Sequence, residues 1–387
     1  MTSETAVPIA ESAAESTRFA AKSAFGAAGT FAAAHKVLED AITARAFPGC
    51  AFGVLAGGRI VDHGALGRFI YEADSPAVLP NTVFDVASLT KVAATTAAAM
   101  LLNQRGLLDP ATLVGDLLPG FIVGHGHEPI ARQVTLRHLL AHNSGLPAYV
   151  DFFRTHSTPA RLFRACLELP LEAAPGTRAE YSDPGFILLG KALEVIAGEY
   201  LPQFVHREIF DPLGMNSSAF CPRLSARHAI APTEIDNSLR FRTIQGEVQD
   251  ENAFILHGAA GHAGLFSNVS DLLRLAAEIL AGSGHPSIAQ PARLFERTTI
   301  ERFAQRQEPT GSSRALGWDT PSENSSSGRH FSPHSIGHLG FSGCSLWIDL
   351  DAGIAVVLLT NRTWPDRANQ AIRQVRPAFH DAIREAL

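Results

Sequence analysis

A hydroxyl and an amine stand three residues apart in this chain. They are Ser88 and Lys91, within the stretch Val83 to Leu107 that reads VFDVASLTKVAATTAAAMLLNQRGL. Side chains three apart on a helix share one face, so the serine oxygen and the lysine nitrogen are expected to meet. The serine falls at the start of the helical stretch, where unpaired backbone N–H groups and the positive end of the helix dipole gather. That setting favours an alkoxide and disfavours an ammonium, as a serine nucleophile with a neutral lysine base requires. Four residues with two fixed letters recur by chance, so the rest of the chain has to carry part of the weight.

Two further clusters qualify. Tyr181-Ser182-Asp183 precedes an apolar helical run in which Phe186, Leu188, Leu189, Leu193 and Ile196 repeat at helical spacing. His338-Leu339-Gly340 opens a stretch read as a strand at the edge of a cleft. His125-Gly126-His127-Glu128 has metal-ligand residue types, but zinc wants three or four ligands on a defined scaffold. A glycine-spaced pair reads better as a solvated loop, so neither metal nor cofactor is expected. There is no Gly-x-Ser-x-Gly elbow, which disfavours an α/β-hydrolase.

The elements that must position these groups follow from periodicity and punctuation. A helix over residues 31 to 47 stops at Pro48-Gly49, and two apolar runs around Gly57-Gly58 read as a β-hairpin. From Leu107 to about Arg240 the pattern is helical with short loops. Residues 311–335 are polar and serine-rich and read as mobile surface. The chain then closes with two expected strands, GHLGFSGCSLWIDL and IAVVLLTNR, and a helix that Pro377 should kink. The expected fold class is therefore α/β plus all-α: an antiparallel sheet flanked by helices with an inserted helical lobe. Residues 1–29 read as a flexible leader, 30–106 and 241–387 as the sheet domain, and 107–240 as the helical domain.

Composition narrows the function. With 387 residues, 46% of them hydrophobic, the chain can bury a sizeable core. The net charge of −6 and the lack of a basic run argue against nucleic acid. No uninterrupted apolar window is long enough for a membrane span. The acidic, discontinuous N-terminus does not look like a signal peptide, and Cys50, Cys166, Cys221 and Cys344 show no paired spacing. The expectation is a cytoplasmic protein with free buried thiols.

Taken together, Ser88-Leu89-Thr90-Lys91, Tyr181-Ser182-Asp183 and His338-Leu339-Gly340 resemble the serine β-lactamase and penicillin-binding superfamily. The nearest branch holds class C β-lactamases, D,D-carboxypeptidase-like proteins and family VIII carboxylesterases. His138-Leu139-Leu140-Ala141-His142-Asn143-Ser144-Gly145-Leu146-Pro147, Gly261 to Ser267 and Leu316-Gly317-Trp318-Asp319 add to the likeness, which runs from about residue 30 to the end. The resemblance implies a β-lactamase/transpeptidase-like fold and a serine hydrolase that forms an acyl-enzyme on a small-molecule substrate. Ser88 would attack, Lys91 would accept or relay its proton, and Tyr181 would act as a phenolate or shared-proton base. The backbone N–H groups of Ser88 and Phe341 would form the oxyanion hole. Asp183, His338, Leu339, Gly340 and Trp318 would line the substrate site, Trp318 as a wall or core residue rather than a catalyst.

Two departures bear on the substrate. Many relatives of this type carry Lys-Thr-Gly where this chain has His338-Leu339-Gly340. A histidine is mostly neutral at pH 7, whereas a full charge at about 4 Å in an effective dielectric of about 20 contributes roughly 4 kcal/mol before desolvation. Leu339 cannot donate a hydroxyl bond. Both changes favour neutral esters over anionic β-lactams or peptide C-termini, so a carboxylesterase with weak β-lactamase activity is the leading expectation. Asp183 replaces a common asparagine; it could attract a substrate amine or simply cap the following helix. A D-amino-acyl peptidase and a non-catalytic penicillin-recognising protein are the alternatives.

Overall fold

The computed structural model describes residues 29–126, 128–288, 292 and 294–387. The leader expected over 1–29 therefore lies outside it, apart from its last residue.

The sheet that organises the molecule is made from both ends of the described chain. Strand β1 (Gly49–Ala56) turns through Gly57 and Gly58, both at positive φ, into β2 (Arg59–Gly67). A two-residue loop with both residues left-handed matches the twist of a hairpin, which is why the double glycine was a readable signal. The short strands β3 (Phe84–Asp85), β4 (Ala219–Phe220), β5 (Glu234–Asp236), β6 (Arg242–Ile244) and β7 (Leu265–Ser267) follow. The last strands are β8 (Ile336–Leu339), β9 (Ser345–Asp349) and β10 (Ile354–Thr360). The main sheet runs β2-β1-β10-β9-β8, and its pairs are antiparallel, with Phe52 opposite Leu358.

Side-chain alternation along these strands feeds two cores. Ala355, Val357 and Leu359 of β10 face the larger core with Val269, Leu272 and Leu273 of the helix Val269–Gly282. Val356 and Leu358 face the other way, joining Phe31, Leu38, Phe379 and Ile383 from the first and last helices. Gly53 permits the first of these contacts: a Cβ there would sit 2.6 Å from Val269 and 2.8 Å from Leu273.

Several expectations need correction. The stretch expected to be one strand from Gly337 is two, β8 and β9, reversed through the turn Gly340–Cys344, so His338-Leu339-Gly340 ends a strand instead of beginning one. The regular elements within residues 107–240 are mostly helices but include β4 and β5, and β4 pairs with β7. The serine-rich segment is not a loose surface loop. Ala315, Leu316 and Trp318 are buried, Ser327 and Ser335 are fully covered, and Arg306 bonds Thr320 Oγ1 at 2.7 Å. Cys50, Cys166 and Cys344 are buried free thiols, whereas Cys221 is exposed. Among the described residues no helix is long and apolar enough to cross a membrane.

Candidate active site

Ser88 sits on a tightly wound turn. Residues Ala87–Leu89 form a 3₁₀ turn, Lys91–Thr96 a π-helical turn and Ala97–Gln104 an α-helix. The expected helix exists, but its first turns are irregular. Ala87 has φ of 47°, a conformation that an L-residue adopts only when its surroundings impose it. Asp85 imposes it by accepting the Ala87 N–H at 2.8 Å through Oδ1. Its other oxygen accepts the Gln249 N–H at 2.7 Å. Burial raises the Asp85 carboxyl to about 6, against the lowering pull of those two N–H groups. Thr90 ties the turn down from below, donating to Ala87 O at 2.6 Å and accepting the Leu265 N–H at 3.0 Å.

The structure brings the three expected groups together. Lys91 Nζ lies 3.1 Å from Ser88 Oγ, and Tyr181 donates to the same oxygen at 2.8 Å. Lys91 is fully buried, and its two remaining protons reach Asp183 Oδ1 at 2.6 Å and the His262 carbonyl at 3.1 Å. Burial pulls the ammonium below the ordinary lysine value, and Asp183 opposes that pull. Tyr181 is pushed well above the ordinary phenol value, by burial first and Asp183 second. It is therefore a neutral phenol near neutral pH, not a phenolate.

Asp183 is not the helix cap that was one reading of it. Ser182 caps the helix Asp183–Ala197, its side chain accepting the Gly185 N–H at 3.1 Å. The aspartate turns inward to Lys91. Trp318, read as wall or core, is a core residue at 1% exposure. His338 is 3% exposed, with Nδ1 2.8 Å from Leu339 O and its ring centroid 5.9 Å from that of Tyr181. Burial, followed by Lys91 and Arg314, holds it well below the usual histidine range, so it is neutral. Gly340 is a point of close approach: a Cβ there would lie 2.4 Å from Val86 O. The glycine lets the β8–β9 turn press against the residues that lead into Ser88. Ser342 Oγ fixes that contact by donating to Asp85 O at 2.8 Å. Phe341, next along the turn, is 47% exposed.

Sequence reasoning assigned no role to several groups at the site. His142, at φ of 55°, stacks between Tyr181 (centroids 4.7 Å) and Phe186 (4.8 Å). Its Nδ1 accepts the Ser182 N–H at 3.0 Å, which places the ring proton on Nε2. It holds Tyr181 from behind as a neutral ring. The His138–Pro147 stretch contained this signal, but helical spacing alone gave the histidine no task. His262, read as a core histidine, does bond Asp250 Oδ1 at 2.9 Å, and its carbonyl faces Lys91. The Arg314 guanidinium carbon stands 5.5 Å from the Tyr181 ring centroid, while Nη1 is 3.7 Å from Asp319. Both ring nitrogens of His125 lie on backbone carbonyls, those of Phe121 and Leu169. His127 is outside the described residues. Among those described, no group of three or more His, Cys, Asp or Glu side chains could hold a metal.

A helix-flanked antiparallel sheet with a serine-bearing turn at its edge is the β-lactamase/transpeptidase-like fold. The chain belongs to the beta-lactamase family, whose model matches residues 34–378. It is a hydrolase of that family, and two similar curated proteins carry hydrolase names. A Bacillus subtilis (strain 168) protein named N-acetylmuramyl-L-alanine amidase is 31% identical over 349 residues, covering 82% of this chain and 78% of that protein. A Salmonella typhi protein named putative D-alanyl-D-alanine carboxypeptidase is 31% identical over 319 residues, covering 76% and 72%. The solved structure of EstCE1, described as a hydrolase with promiscuous acyltransferase activity, superposes with a TM-score of 0.71. It is 23% identical and covers 91% of this chain and 98% of its own, a likeness of fold.

Proposed function

We propose that the chain is a serine carboxylesterase acting on small or medium neutral acyl esters through an acyl-enzyme on Ser88. The reading is carried by one observation: Ser88 Oγ lies within hydrogen-bond reach of both Lys91 Nζ and Tyr181 OH. Neutral Lys91 takes the Ser88 proton as Oγ attacks the ester carbonyl. The ammonium so formed is held by Asp183 and the His262 carbonyl. The carbonyl oxygen gathers charge between the N–H groups of Ser88 and Phe341, the latter without a backbone partner among the described residues. One such donor is typically worth about 2.7–4 kcal/mol of transition-state stabilisation. Tyr181 passes its proton to the departing alkoxide and regains one from Lys91. Water then repeats the steps in reverse order to free the acid.

Buried, neutral His338 and hydroxyl-free Leu339 support an uncharged substrate. Turnover of p-nitrophenyl butyrate, nitrocefin and a D-alanyl amide tests the choice: the ester should be fastest, and a faster D-alanyl amide would refute it. A non-catalytic penicillin-recognising protein would turn over none of them.

Arg314 supports a second reading. Its guanidinium reaches Tyr181 and, among the described residues, has only a long ion pair to Asp319, so it could receive a substrate carboxylate in place of the absent strand lysine. That would suit a D-amino-acyl carboxypeptidase, the activity in the name of the Salmonella relative. Arg314→Ala separates the readings. It should leave ester turnover within about threefold if the substrate is neutral, and abolish D-alanyl peptide turnover selectively if Arg314 binds a carboxylate.

A further inference from the structure

The turn that carries Phe341 is held from behind by a buried cation. Arg376, on the C-terminal helix Ile372–Glu385, is 6% exposed. Its Nη2 donates to Gly340 O at 2.6 Å and to Cys344 O at 2.9 Å, and its Nε donates to Gly343 O at 3.1 Å. Among the described residues no carboxylate lies within ion-pair distance of it. Burial lowers the guanidinium to about 10, which leaves it charged at neutral pH. A second guanidinium, Arg362, donates to Phe341 O at 2.7 Å. An uncompensated charge away from water is costly, and carbonyl dipoles alone offset this one.

The position of that charge matters because of peptide geometry. Gly340 O and the Phe341 N–H belong to one trans peptide and point in opposite directions. A cation on the oxygen draws electron density from the whole amide group, so the N–H at the other end becomes a stronger donor. The positive charge also sits in a medium of low dielectric, one peptide away from where negative charge would develop. We propose that Arg376 is a positioning residue that aims and polarises the Gly340–Phe341 peptide, so that its N–H stabilises the oxyanion of the acyl-transfer transition state. This rests on the reading of Phe341 as an oxyanion-hole donor.

Polarisation can be measured separately from rate. p-Nitrophenyl cinnamate places a conjugated, slowly deacylating acyl group on the serine, and isotope-edited infrared spectroscopy reads its carbonyl stretch. In the wild-type acyl-enzyme the stretch should lie below that of ethyl cinnamate in water. Arg376→Gln keeps a neutral donor but removes the charge. It should return the stretch at least halfway to the water value and lower kcat/KM on p-nitrophenyl butyrate about tenfold, mostly through kcat. Arg376→Lys keeps the charge and should stay closer to wild type than Arg376→Gln on both readouts. Equal losses in the two variants would mean a structural role only and would overturn the proposal. Wild-type frequency in both variants would overturn it as well. Should Arg376→Gln fail to fold, Arg376→Met, which also removes the charge and fills its space, takes its place: its stretch must move toward the water value, and an unmoved one refutes the inference. A wild-type stretch no lower than in water would instead remove the Phe341 assignment, and this proposal with it.

Discussion

The two sides of Ser88 are built on different principles. On the amine side, Lys91 is sealed from solvent and its nitrogen has three polar partners: the serine oxygen, Asp183 and the His262 carbonyl. On the phenol side, Tyr181 is placed by rings: His142 at 4.7 Å, His338 at 5.9 Å, and the Arg314 guanidinium at 5.5 Å. Hydrogen bonds with a carboxylate tune a charge, whereas ring packing fixes a direction. The difference suggests that the amine side sets when the serine can be activated, and the phenol side sets where the proton is delivered.

Mutation of the three groups should produce the largest effects. Ser88→Ala, Lys91→Ala and Tyr181→Phe are each expected to lose several orders of magnitude in ester turnover. Combined variants should lose little more, because such groups act as a unit. Tyr181→Phe keeps the ring that His142 packs against, so its melting temperature should match wild type. If it retained most of the activity, the phenol side would be scaffolding only.

Asp183→Asn sharpens the contrast with a smaller effect. The carboxylate raises the Lys91 value, in opposition to burial. Removing it should lower that value, so neutral amine becomes available at lower pH. The acid limb of kcat/KM should then move to lower pH. A limb that stays in place would mean that Lys91 does not titrate in it.

How much of this was legible from the sequence depended on how local each signal was. Ser88 and Lys91 could be paired because helical spacing brings them together within one turn. The sheet could be assembled from its hairpin glycines and alternating apolar residues. Asp183 could not be assigned, because its partner is 92 residues away and a capping position competed for it. The β8–β9 reversal was missed because Gly340 and Gly343 lie in an apolar run that reads as one strand. Trp318 could be read as wall or core, and only its burial decides between them. The serine-rich segment looked mobile because composition does not show that Asp349 accepts from the Ser332 N–H at 3.0 Å. Arg376 occupies an ordinary polar position on an amphipathic helix, and only the fold brings it to the turn.

The smallest effect concerns the strained turn before the serine. The folded-state Asp85 carboxyl is raised to about 6, above the ordinary aspartate value of about 3.9. Protonated Asp85 therefore favours the folded state. Its stabilising contribution is complete below about pH 4 and is lost as pH rises through about 6. Asp85→Asn should flatten the dependence of melting temperature on pH across that window. An unchanged slope would place the titration elsewhere.

The most direct test of the central claim is intact-protein mass spectrometry after brief incubation with p-nitrophenyl butyrate, followed by peptide mapping. The expected result is a single butyryl group on Ser88, absent from Ser88→Ala and short-lived in wild type. Ester turnover that survives in Ser88→Ala, or an acyl group on another residue, would contradict the account.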